Sequence, residues 1–167
     1  ASIAYTLPVN VEDLKVTGTA AHAGTGNGLA NRITGNAGKN TLKGLGGADV
    51  LTGGGAAYKL TGGSGADTFV YLKTTDSRAG KTRRDTITDF AKGDKIDITA
   101  IDANPKKAGN QAFRWLGGKA FDGKPGALRF YKRVLRADLD GNKKTDLEIA
   151  IPAFLTIVLM PFTYSIT

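Results

Sequence analysis

Five consecutive blocks of nine residues, starting at Gly26, constrain this chain more than any other feature. They read GNGLANRIT, GNAGKNTLK, GLGGADVLT, GGGAAYKLT and GGSGADTFV. The first position is always glycine: Gly26, Gly35, Gly44, Gly53 and Gly62. The eighth is always large and apolar: Ile33, Leu42, Leu51, Leu60 and Phe69. The sixth holds Asn31, Asn40, Asp49, Tyr58 and Asp67. A period of nine fits neither a heptad nor an α-helical stripe. A glycine-rich turn tolerates positive φ angles, and a short strand then presents one apolar side chain inward. A single block cannot bury that side chain. Stacked blocks bury a continuous ladder of them, so stability accumulates along a solenoid.

Composition narrows the class further. The 167 residues include 23 glycines, about twice the usual share, but only 5 prolines, which excludes a collagen-like or Pro/Gly-rich disordered chain. Hydrophobic residues make up 41%, enough for a core. The absence of cysteine excludes a disulfide framework, a thiolate metal site and a thiol nucleophile. It also suits a bacterial protein exported unfolded. His22 is the only histidine, and a zinc-protease site needs at least two. It is expected at a surface turn. No Gly-x-Ser-x-Gly elbow and no phosphate-binding loop occurs. The chain opens at Ala1 without a secretory leader and runs straight into strand-like sequence, as a piece of a longer protein would. The most apolar run, residues 149–162, is too short to span a bilayer and is interrupted by Pro152 and Pro161. Buried strands are expected there, with no membrane span.

Charge is unevenly spread. The first 70 residues carry five basic and four acidic side chains, whereas residues 104–136 carry nine basic side chains against Asp122 alone. That stretch accounts for the whole net charge of +8. Arg114, Lys119, Lys124, Arg129, Lys132 and Arg133 alternate there with Phe113, Trp115, Phe121, Phe130 and Tyr131. One reading is an amphipathic antiparallel segment, rings inward and charges solvated; it is the one we favour. The other is a polyanion-binding strip for an anionic polysaccharide. No nucleic-acid partner is expected.

The nonapeptide resembles the RTX (repeats-in-toxin) repeat, G-G-x-G-x-D-x-U-x, which forms a calcium-binding parallel β-helix. Residues 3–40 look like the degenerate turns ahead of such repeats. Downstream, DTFVYLKTTDS and DTITDFAKGDKIDITAID are similar to the end of the roll in serralysin C-terminal domains and in mannuronan epimerase R-modules. FRWLGGKAFDGKPGALRF and ADLDGNKKTDLEIAI match the pattern of the serralysin-type cap. The resemblance implies an all-β fold: a right-handed parallel β-roll over residues 1–100, then a partly antiparallel C-terminal β cap over residues 101–167, continuous with the roll. It implies a non-catalytic, Ca2+-binding module of a larger secreted bacterial protein. Such a module aids extracellular folding, stability and type I export of an upstream catalytic or adhesive domain. The alternative is a module that binds alginate or lipopolysaccharide through residues 104–136.

In that family, turns stack in two columns, so that each block faces the next but one. An ion lies between facing turns, held by position-six carboxylates and glycine-rich carbonyls, the oxygen-rich shell calcium requires. Carried onto this chain, the best site pairs Asp49 with Asp67, completed by the carbonyls of Gly44, Gly46, Gly63 and Gly65. A weaker site pairs Asn31 with Asp49. The other column pairs Asn40 with Tyr58, lacks a carboxylate, is flanked by Lys39 and Lys59, and is expected to be empty. Asp85 would serve a turn beyond Asp67. The plainer reading of Asp49 and Asp67 is that they cap turns by accepting backbone amides. Asp138, Asp140, Asn142 and Asp146, in DLDGNKKTD, alternate like the ligands of an EF-hand loop. However, Gly141 is early, Lys143 and Lys144 intrude, and no glutamate closes the loop. A structural turn is favoured there over a weak metal loop. RTX modules are usually acidic, but here the pI is about 9.7 and most ligand positions are lost. A roll that folds partly or wholly without calcium is therefore expected. The terminal PFTYSIT lacks the acidic residue common at serralysin-type ends, which leaves the export signal open.

Overall fold

The structure, a computed structural model, describes residues 4–152. Most of the apolar run 149–162 and the terminal PFTYSIT lie outside the described residues. Ten short strands form the roll: β1 (Ala4–Thr6), β2 (Asp13–Lys15), β3 (Ala23–Thr25), β4 (Arg32–Thr34), β5 (Thr41–Gly46), β6 (Val50–Thr52), β7 (Lys59–Ser64), β8 (Thr68–Val70), β9 (Asp85–Ile87) and β10 (Lys95–Asp97). Odd-numbered strands build one sheet and even-numbered strands the other, all parallel. Arg32 pairs with Val50 and Thr41 with Lys59, so one turn of the roll is two nonapeptides.

The position-eight side chains do what the repeat predicts. Ile33, Leu42, Leu51, Leu60 and Phe69 are all buried, and Ile87 extends their ladder. Phe90 flanks Phe69 at a centroid distance of 6.1 Å. Position two of the third block is costlier. Leu45 sits at φ 90°, a region glycine enters freely and leucine does not. Its counterpart one turn on, Gly63, has φ 109° without that steric cost.

After β8 the repeat slips. Lys59 pairs with Thr86 and Thr68 with Lys95, a register one nonapeptide longer than before. Residues 71–84 are looped out to make the difference, and include a single 3-10 turn at Thr74–Asp76. The cap adds β11 (Arg114–Trp115), β12 (Ala127–Tyr131), β13 (Val134–Asp138) and β14 (Leu147–Ala150). β12, β13 and β14 run antiparallel, and β14 joins β9 in parallel. One nine-stranded sheet therefore runs from the roll into the cap. The β12–β13 hairpin turns through Lys132 and Arg133, both at positive φ (49° and 63°), which a two-residue primed turn demands.

The looped-out segment is pinned to the cap by Glu148. Its carboxylate accepts the Gly80 N–H at 2.8 Å and pairs with Arg84 and Arg136. The Ser77 hydroxyl donates to the Glu148 carbonyl and accepts the Asp85 N–H at 2.8 Å. Burial pushes the Glu148 carboxyl up, but the Gly80 N–H and both guanidiniums outweigh it and hold the group below its ordinary range. Among the described residues, no helix is long and apolar enough to cross a membrane.

Candidate metal centre

Residues at the phase of position six join successive turns by one repeated bond, made by Asp49, Asp67 and Asn40 within the blocks and by Asp85 and Asp94 beyond them. Asp49 Oδ1 accepts the Asn31 N–H at 2.7 Å, and Asp67 Oδ1 accepts the Asp49 N–H at 2.9 Å. Asp94 Oδ1 accepts the Asp67 N–H at 3.0 Å. Asn31, Asp49, Asp67 and Asp94 thus form one column. In the other, Asn40 Oδ1 accepts the His22 N–H at 2.8 Å and Asp85 Oδ1 accepts the Tyr58 N–H at 2.8 Å. His22, half-buried, stands one turn before Asn40.

This placement corrects the expectation for Asp85. It does not continue the column of Asp67; it follows Tyr58, and Asp94 takes the place beyond Asp67. The reason is the looped-out nonapeptide. Asp76, Asp85 and Asp94 all keep the phase of nine set by Asp67, but Asp76 is turned aside to accept the Leu72 and Lys73 N–H groups. Sequence reasoning missed Asp94 and also Asp89, whose two oxygens accept the Gly62 and Gly63 N–H groups at 3.0 and 2.8 Å. The phase of nine past Asp67 reaches Asp94 as it does Asp76 and Asp85, but does not say which of the three faces Asp67.

Turn capping uses only one oxygen of each aspartate. The second oxygens, Asp49 Oδ2 and Asp67 Oδ2, are buried with no hydrogen-bond partner among the described residues. Asp49 is 1% exposed and Asp67 fully buried. A buried carboxylate oxygen without a partner is costly. Burial, reinforced by the charge of Asp67 and opposed by the Asn31 N–H, pushes Asp49 up to about 6. Burial raises Asp67 as well, against the Asp49 N–H and with Asp94 and Asp89 adding to it.

Both oxygens crowd the first glycine of their own turn. A Cβ at Gly44 would stand 1.9 Å from Asp49 Oδ2 and 2.5 Å from the Gly62 carbonyl oxygen. A Cβ at Gly62 would stand 2.1 Å from Asp67 Oδ2. At Gly44 and Gly62 position one must be glycine because a carboxylate oxygen occupies the room a side chain would need. The donor set is therefore hard, anionic and glycine-cradled, which fits a calcium ion better than a softer metal. Of the carbonyls expected to help, that of Gly44 faces Gly26 of the turn before, 2.5 Å from where a Cβ there would stand, and the carbonyl beside Gly44 and Asp49 Oδ2 is that of Gly62. Gly46 and Gly63 belong to the paired strands β5 and β7. The backbone of Gly65, at φ 138°, packs against the Gly47 carbonyl. Asn31 fits less well: its amide oxygen already accepts the Asn27 N–H at 2.7 Å.

Asp85 differs in kind. Its Oδ2 is buried, with the equally buried Tyr71 hydroxyl as its polar neighbour. Burial pushes it up to about 8, against the Tyr58 N–H and the Tyr71 hydroxyl, with Asp76 adding to the rise. A carboxyl with that value is mostly protonated at pH 7 and offers little charge to an ion.

The cap brings Asp138, Asp140 and Asp146 together, with oxygens within 4.8 Å of one another. Both oxygens of Asp138 are taken by the Gly141 and Lys143 N–H groups, at 2.8 and 2.9 Å. Asp146 Oδ2 accepts the Leu139 N–H, and Asp140 accepts the N–H and side-chain amide of Asn142. This is an interlocked turn between β13 and β14.

The basic strip is partly consumed. Arg114 grips Asp122 with two bonds, 3.0 and 3.1 Å. Arg129 lies over the rings of Phe121 and Tyr131, at 5.5 and 5.3 Å. Lys119, Lys124, Lys132 and Arg133 are exposed. The rings do not all turn inward as favoured. Phe113 and Phe130 pack on the core, but Trp115 and Tyr131 are 41% and 46% exposed. β11 is a two-residue edge strand and Tyr131 ends at the hairpin tip, so neither ring has a layer above it.

Comparison with known proteins agrees with the fold. Residues 15–152 match the family described as Peptidase M10 serralysin C terminal. The chain belongs to that family. A search of curated proteins finds no match. Among solved structures, this serralysin C-terminal domain is similar to the solution structure of the AlgE6R3 subunit from the Azotobacter vinelandii mannuronan C5-epimerase. The TM-score is 0.60 and the identity 28%, over 87% of this chain and 78% of that one. The serralysin C-terminal domain is thus a β-roll of the RTX kind, the architecture of that epimerase subunit.

Proposed function

We propose that this domain is a non-catalytic, calcium-binding β-roll module of a larger secreted bacterial protein, which stabilises an upstream domain after type I export. One observation carries the calcium: the buried, unpartnered second oxygens of Asp49 and Asp67, cradled against Gly44 and Gly62. An ion there would be held by those carboxylates and the neighbouring carbonyls, and would relieve two buried charges at once. The division into a roll over 1–100 and a cap over 101–167 is part of the same proposal, with the cap closing the end of the nine-stranded sheet.

Thermal melts with calcium and with chelator, across pH, test it. Asp49 is raised to about 6 without metal, so its contribution to stability is present at low pH and fades as pH rises through that value. In chelator the midpoint should fall from pH 4 to pH 7. Calcium needs the ionised group, so the gain from calcium should grow over the same window. A gain equal at pH 4.5 and pH 7.5 would contradict the assignment.

A second reading, binding of alginate or lipopolysaccharide, is favoured by one feature. Lys132 and Arg133 line, with Arg84, a cleft of about 420 Å³, and the Lys132 ammonium lies 5.4 Å from the centre of the exposed Tyr131 ring. Alginate should bind at low salt and be released by moderate salt, with the double variant Lys132→Ala, Arg133→Ala losing most of the affinity. No binding of wild type at low salt ends this reading.

A further inference from the structure

The two columns solve the same problem in different ways. In the column of Asp49 and Asp67, carboxylate oxygens are left over. In the other, nothing of that kind remains between the turns that begin at Gly35 and Gly53, because a side chain fills the interval. Tyr58 is 2% exposed and its ring reaches back over the preceding turn. A Cβ at Gly35 would stand 2.5 Å from Tyr58 Cε1 and 2.9 Å from its hydroxyl oxygen. A Cβ at Gly54 would stand 2.9 Å from the same hydroxyl and 2.2 Å from the Asn36 carbonyl oxygen.

The turn's oxygens are satisfied by protons. The Tyr58 hydroxyl donates to the Asn36 carbonyl and accepts from Asn40 Nδ2 at 2.9 Å. Asn40 Nδ2 also lies 2.7 Å from the Gly38 carbonyl and 2.6 Å from Asn36 Oδ1, so its two protons are shared among three acceptors. Asn36 reaches on to the Thr17 and Ala20 carbonyls of the turn before, each at 3.0 Å. Each bond replaces attraction to a cation by an ordinary neutral hydrogen bond. Burial, only partly offset by the Asn40 amide, raises the phenol above its ordinary range, so the hydroxyl keeps the proton it donates.

We propose that Tyr58 takes the place of an ion in the second column, its ring filling the interval between facing turns and its hydroxyl capping the Asn36 carbonyl. The interval between the turns that begin at Gly35 and Gly53 is thereby a closed metal site, locked shut by one side chain and stable without metal. This concerns the column that the Asp49–Asp67 site does not use, so the two readings stand or fall separately.

Two variants of the whole chain test it, read by thermal melts in chelator and in calcium and by calcium titration calorimetry. Tyr58→Phe keeps the ring and uncaps a buried carbonyl. Its midpoint should drop by roughly 3–8 °C in chelator and equally in calcium, with the ion count unchanged. The same drop should persist when Asp49 and Asp67 are both asparagine, which separates it from the first column. Tyr58→Asp removes the plug and supplies a ligand. It should bind one calcium more than wild type and regain in calcium the stability it loses in chelator. Tyr58→Phe melting with wild type in chelator would overturn the proposal, whether or not the aspartate variant folds. A folded Tyr58→Asp variant with the wild-type ion count would overturn it too.

Discussion

Replacing Asp49 and Asp67 together by asparagine is expected to abolish the calcium-dependent rise in melting midpoint while leaving the roll folded in chelator. A ligand present at a hundred times its dissociation constant stabilises a one-site protein by about 2.7 kcal/mol. For a domain of this size that is a rise of roughly 5–11 °C, and the variant should show none of it. In chelator the variant should match or exceed wild type by about 1 kcal/mol, because two buried, unpartnered oxygens are gone. The amide is already tolerated in this setting: Asn31, in the same column, caps its turn and donates to Asn27 Oδ1 at 3.1 Å. The opposite signs of the two effects separate an ion site from a structural turn. If the carboxylates merely capped amides, asparagine would keep the caps through Oδ1 and calcium would affect both proteins alike.

The second large effect lies at the junction of roll and cap. Glu148→Ala is expected to destabilise the domain by about 3 kcal/mol. Removing one member of a buried ion pair typically costs 3–5 kcal/mol, and the lower end applies because Arg84 and Arg136 retain 18% and 24% exposure. The Gly80 N–H would lose its acceptor as well, freeing the looped-out residues 71–84. Hydrogen exchange should show where the loss falls. Amides of β13 and β14 and of the 71–84 segment should lose protection, while those of β4 to β7 should not. Uniform loss along the roll would mean that Glu148 stabilises the fold globally and does not act as a local clasp.

The roll was legible because every turn repeats the same local argument. Glycine at position one and an apolar residue at position eight repeat with a fixed spacing, and the ladder from Ile33 to Phe69 follows from that spacing alone. The division of labour within Asp49 and Asp67 was harder to see. Turn capping and metal binding are rival readings of the sequence, yet one oxygen of each residue does the capping and the other is buried without a hydrogen-bond partner, so the two readings are compatible. Past Asp67 the local argument fails, because no local rule says which nonapeptide will be looped out. Asp76 has the right phase and the wrong fate, and Asp85 is carried into the other column as a result. Tyr58 shows a related gap. Its sequence position reveals a missing carboxylate, but only the three-dimensional stacking shows a ring filling the vacated interval. The exposed rings of Trp115 and Tyr131 depend on where the sheet ends, which is decided by pairing between distant strands.

An ion held at the Asp49–Asp67 turns, in a roll whose other column needs none, has a direct signature in solution. The most direct test is a pair of two-dimensional amide NMR spectra, in chelator and in calcium. The spectrum in chelator should be dispersed and folded, with calcium-induced shifts concentrated at Asn31, Gly44, Asp49, Gly62 and Asp67 and absent from Asn36, Asn40 and Tyr58. A collapsed spectrum in chelator, or calcium shifts centred on Asn40 and Tyr58, would contradict it.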